Sequence, residues 1–64
     1  MRTIKDILLT IENGVPVHLV EIACDSTEIA SLPTTGIADG SDALTTNTGE
    51  VYFFNEKSSE WNKV

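Results

Sequence analysis

Apolar residues recur along this chain in two different rhythms. Near the N-terminus, Ile4, Ile7, Leu8 and Ile11 follow the i, i+3, i+4, i+7 spacing of one helical face. Thr3 stands where an N-cap would, and Asp6 follows three residues later in a capping-box-like position. Asn13-Gly14 can then end the helix through a left-handed residue. The same residues also allow a hairpin, with Leu8 to Glu12 and Val15 to Leu19 flanking an Asn-Gly turn. All four periodic positions match, so the spacing favours the helix, with the hairpin as the alternative. Val17, Leu19, Val20 and Ile22 then predict a strand over Val15 to Cys24, which Pro16 confines to a strand start or a sheet edge.

From Asp25 to Ser41 the chain is rich in turn formers, and Ile29, Leu32 and Ile37 are expected to plug this loop onto the core. Thr27 to Ser31 has the makings of one helical turn capped by Asp25 or Ser26. Beyond it the pattern becomes that of a β-meander. Its strands are Ala43 to Thr46, Val51 to Phe54 and Trp61 to Val64, joined by Asn47-Thr48-Gly49 and a polar turn from Asn55 to Glu60. The expected fold is therefore small α+β or mainly β. An N-terminal helix (or hairpin) and a strand precede a C-terminal three-stranded antiparallel meander. A single domain would comprise a packing segment at 1–24, an ordered acidic loop at 25–41 and the meander at 42–64.

The aromatic residues sharpen this picture, because Tyr52, Phe53, Phe54 and Trp61 fall within one short stretch. Alternation sends Val51 and Phe53 to one sheet face and Tyr52 and Phe54 to the other. Both faces then need cover, one from the N-terminal element and the other from a neighbouring chain. As core, Tyr52 and Trp61 would pair across strands with Phe53 buried below. As a platform, the cluster would meet a sugar or a protein. The scarcity of other large apolar side chains favours core, with Tyr52 and Trp61 partly exposed because each has a polar tip that needs a partner.

At 64 residues the chain can bury only a small core, and one cysteine, Cys24, and one histidine, His18, provide neither a disulfide nor a zinc site. Self-association or docking on a partner is the expected remedy. The net charge is −6, and between Asp25 and Glu50 there are five acids and no Lys or Arg. That balance argues against nucleic acid and against anionic membranes as partners. The apolar runs are too short to span a bilayer, and no signal-peptide pattern is present, so an unprocessed protein made in the cytoplasm is expected.

Candidate chemistry is sparse. Asp39-Gly40-Ser41-Asp42 resembles part of a calcium loop but has no closing bidentate glutamate, so a plain turn is the better reading. Cys24 has no neighbouring positive charge or histidine to activate it and reads as a small buried apolar residue. His18 has no Cys, Asp or Ser partner close in sequence, Ser26-Thr27 and Ser58-Ser59 have no base, and Gly36 and Gly40 fit no phosphate-binding pattern. These residues call for no enzymatic activity, metal or cofactor.

Residues 29 to 64 resemble a recurrent small module of tailed-phage virion proteins. The resemblance is carried by Leu32-Pro33, Gly36, Gly40-Ser41, Ala43-Leu44, Thr48-Gly49, Val51-Tyr52-Phe53, Asn55-Glu56 and Trp61. The module commonly has an Asp-Gly turn where this chain has the longer Asn55 to Glu60. The resemblance implies a virion location and a non-enzymatic structural role, as a capsid decoration or head-fibre-type subunit. Such a subunit would be a homo-oligomer bound to other virion proteins, with residues 1–24 as the anchoring segment. Alternatives are a tail or baseplate component, a small carbohydrate-binding module using Tyr52 and Trp61, or an acidic inhibitor of a host protein. The candidate contact residues are Tyr52, Phe54 and Trp61 together with Ile4, Ile7, Leu8 and Ile11.

Overall fold

The computed structural model describes all 64 residues. Five strands run in chain order across one sheet: β1 (Arg2–Glu12), β2 (Val15–Cys24), β3 (Asp42–Thr45), β4 (Glu50–Asn55) and β5 (Glu60–Lys63). Neighbours are antiparallel except β2 and β3, which are parallel.

This corrects the expected fold class. There is no N-terminal helix: 56% of residues are in strands, 9% are helical, and no helix reaches seven residues. Residues 2–24 form a long hairpin, with Asn13 (φ 51°) and Gly14 (φ 79°) both in the left-handed region that the tight turn requires. The helical spacing of Ile4, Ile7, Leu8 and Ile11 was real but incidental. A helix there would have had to bury that stripe, and no second layer is available over it. The hairpin instead pairs the facing backbone groups of its two arms. Nor do the last three strands stand as a separate meander, because β3 pairs along its other edge with β2 over Glu21–Cys24.

A parallel pair needs a crossover, and residues 25–41 supply it. It opens with a 3₁₀ helix, Ser26–Ser31. Asp25 caps this turn: its carboxylate accepts from the Thr27 N–H at 3.0 Å, while Glu28 accepts from the Asp25 N–H at 2.8 Å. The crossover then crosses one face of the sheet and buries Leu32, Ile37 and Ala38. Leu32 and Ile37 join Val20, Ile22, Cys24, Ala43 and Phe54 in one core cluster, flanked by Ile29, Tyr52 and Trp61. The core is small, with 11 of 64 residues buried, and lies on that one face.

The inner edge of β2 is completed by three successive devices. His18 donates to the Gly36 carbonyl at 2.8 Å and accepts from the Ala38 N–H at 2.8 Å. The fully buried Ser41 offers its hydroxyl to the Val20 N–H at 3.0 Å, just short of where β3 begins opposite Glu21. From Glu21 onward β3 takes over. An N–H buried without such partners would cost about 1–3 kcal/mol, so these contacts hold the crossover to the sheet.

Candidate interaction surface

The strands divide the expected contact residues into two groups. Tyr52, Phe54 and Trp61 lie on the covered face. Phe54 is buried at 4% exposure, so it belongs to the core and offers no contact surface. Trp61 is opposite Phe54 on β5, their rings 5.1 Å apart and tilted by 58°, and its indole Nε1 donates to the Pro33 carbonyl at 2.9 Å. The cross-strand pair is therefore Phe54–Trp61, not Tyr52–Trp61, whose expected pairing fails because Tyr52 faces Lys63. Phe53, expected below that pair, lies 46% exposed on the opposite face, where Leu44 is also exposed. With its ring against Phe54 and its N–H committed to Pro33, Trp61 ties the crossover to β5.

The second group is on the surface. Ile4, Ile7, Leu8 and Ile11, joined by Leu9, all lie on β1 with exposures between 41% and 62%. Leu9 escaped the sequence reading because it falls outside the helical stripe; the signal available was the density of apolar β-branched and leucine residues from Ile7 to Ile11. β1 is an outer strand bonded only to β2, so its far edge presents backbone N–H and C=O groups with no strand beside them. Ile4 and Leu9 have no opposite residue on β2 and form bulges that break the register. The other edge of the sheet is different in kind: β5 has four residues and the sequence Glu60-Trp61-Asn62-Lys63.

The polar candidates are engaged in structure. Asp39 accepts from the Glu56 N–H at 2.6 Å, and Ser41 is buried against Val20, so two positions of the calcium-like loop serve the fold. His18 does find a carboxylate, Asp6 on β1, with Nδ1 and Oδ1 2.7 Å apart across the hairpin. Sequence distance hid that pair, and strand pairing created it. Cys24 is buried; burial first, and then the nearby Glu28 charge, push its thiol pKa up and keep it protonated.

Two shallow clefts flank the hairpin. One, of about 430 Å³, lies between the hairpin tip at Glu12 and Asn13, the Thr34–Gly36 loop, and Glu56 and Ser59 beyond β4. The other, of about 350 Å³, lies beside Arg2, Cys24 and Thr46. No helix is long and apolar enough to cross a membrane. Compared with family models, curated proteins and solved structures, the chain gives no significant match to any.

Proposed function

We propose that this chain is a non-enzymatic structural subunit that works by protein–protein contact, as a capsid decoration or head-fibre-type component of a tailed-phage virion. The contact role is supported above all by β1. β1 is an 11-residue edge strand whose two bulges and Lys5 interrupt its edge but leave Ile4, Ile7, Leu8, Leu9 and Ile11 exposed. A run of exposed apolar side chains of this kind marks a contact surface. The small one-sided core points the same way, since a domain of this size gains stability by association. The virion context rests on the resemblance of residues 29–64 to the phage module. Its Leu32, Gly36, Ser41 and Trp61 positions are fold-bearing here, holding the crossover to the sheet.

Mass spectrometry of purified particles tests the virion context. The chain is expected there in a copy number tied to capsid symmetry. A count set by the tail would move it to a tail or baseplate role, and its absence from the particle would overturn the virion reading.

A further inference from the structure

We propose that two copies of this chain join edge to edge through β1, antiparallel about a two-fold axis at Ile7, so that two five-stranded sheets become one continuous sheet. This inference rests on the hairpin and its charges, and holds or fails independently of the virion context.

The charge pattern selects a second copy as the occupant. The chain carries −6 overall, so two copies repel over most of their surfaces. Both edge strands escape this excess, since Arg2 and Lys5 balance Asp6 and Glu12 on β1 and Lys63 balances Glu60 on β5. Only β1 combines neutrality with eleven residues and a run of exposed apolar side chains. It is where two otherwise acidic molecules can approach closely.

The order of those charges selects the orientation. Arg2 begins the strand and Glu12 ends it. A parallel pair would set Arg2 beside Arg2 and Glu12 beside Glu12. With Ile7 on the axis of an antiparallel pair, Arg2 lies opposite the second copy's Glu12, and the match occurs twice. Ile7 then meets Ile7, Thr3 meets Ile11, and Asp6 meets Leu8.

Strand geometry is compatible with the same register. A two-fold axis perpendicular to a sheet leaves every side chain on its own face, so opposed residues must share a face. The β2 partners show that the three opposed pairs meet that condition: Arg2 and Glu12 stand beside Ala23 and Val15, Thr3 and Ile11 beside Ile22 and Pro16, and Asp6 and Leu8 beside Val20 and His18. The bulges at Ile4 and Leu9 lie three and two residues from the axis and would face Thr10 and Lys5, but with one bulge in each arm the strand ends return to phase. A single bulge would have put one arm out of phase.

Light scattering coupled to size exclusion, on the full chain at micromolar concentration, tests this. The expected result is a dimer, twice the 7.0 kDa chain mass. Arg2→Glu alone and Glu12→Arg alone each set like charges opposite one another twice, and should weaken the dimer about tenfold at low salt. The double variant Arg2→Glu/Glu12→Arg restores opposite charges and should recover wild-type dimerisation. Both positions are exposed, and far-ultraviolet circular dichroism verifies that each variant retains its sheet. A wild-type chain that stays monomeric at hundreds of micromolar overturns the proposal. A dimer indifferent to the single swaps, or not rescued by the double one, overturns the Arg2–Glu12 register.

Discussion

Ser41 shows how much of this fold can hang on a single hydroxyl. It has no exposed surface, and its Oγ is the acceptor for the Val20 N–H. Ser41→Ala keeps the volume nearly unchanged but leaves that donor buried and unpaired. We expect a loss of about 1–3 kcal/mol in urea unfolding, with the slope of the transition unchanged. Gly36 is constrained differently. Its φ is +71°, and a Cβ built there would lie 2.6 Å from the Pro16 carbonyl oxygen, a backbone atom that cannot swing aside. Gly36→Ala should therefore destabilise by about 1–3 kcal/mol, from left-handed strain plus the displacement of β2 from the crossover. Gly14 serves as the control: it has a similar positive φ, but nothing lies within 4 Å of its Cβ position, so Gly14→Ala carries the strain without the clash. Equal losses at the two glycines would remove the close contact from the account.

At the scale of elements, the 3₁₀ turn and the hairpin show different degrees of legibility. The turn after Asp25 could be read from local chemistry because both its capping partners lie within three residues. Hydrogen bonds from Thr27 hold the Asp25 carboxyl below its ordinary pKa, and the Asp25 N–H does the same for Glu28. Carboxylates depressed in the folded state stabilise it above their ordinary values of about 4, and that contribution is lost as pH falls through the lowered folded values. Asp25→Ala should lower the melting temperature at pH 7 and reduce the slope of stability with pH on the acid side. A variant that melts with an unchanged acid limb would show that the cap is not the group being titrated. The hairpin was harder to read, because two local signals compete in it. Local spacing matched a helix at Ile4, Ile7, Leu8 and Ile11, while the Asn13-Gly14 pair matched a tight turn. What decides between them lies outside the segment. A helix needs a surface to bury its stripe, whereas β2 was already committed to the sheet through residues 36–38, Ser41 and β3, and offered β1 an edge.

At the scale of the whole molecule, the sheet spreads its acids across strands that sequence distance separates. Glu21 and Asp42 are far apart in the chain yet opposite one another on β2 and β3. Burial, and then the Glu21 charge, raise the Asp42 pKa above its ordinary value. A carboxyl whose pKa is raised on folding opposes folding when it is ionised. That penalty is present above the raised value and vanishes as pH falls below the ordinary value of about 4. Asp42→Asn is expected to raise the melting temperature at pH 7, with the gain shrinking toward zero in acid. A gain that persists unchanged at pH 3 would point to packing rather than charge. Elsewhere the distribution is favourable: Glu50 pairs with Lys63 across the ends of β4 and β5, which lowers the carboxyl pKa and raises that of the amine. The molecule measures 36 × 22 × 17 Å, and its long axis matches an 11-residue strand at about 3.3 Å per residue. So long a hairpin on so small a core leaves an outer edge on β1 that none of the other four strands covers.

The sequence by itself determined what depends on near neighbours. A capped turn beginning at Asp25 or Ser26, the left-handed Asn13-Gly14 pair and the alternation that sends Phe53 and Phe54 to opposite faces all depend on residues close in the chain. The structure chose Asp25 as the cap. The −6 charge and the lack of basic residues between Asp25 and Glu50 are equally fixed by composition. Only the tertiary structure decided the rest: that residues 2–12 are an edge strand, that Trp61 packs on Phe54 and bonds Pro33, that His18 meets Asp6, and that β2 and β3 run parallel. Each of these depends on which strand lies beside which. Pairing energy is shared between segments distant in the chain, so no window of local sequence contains it.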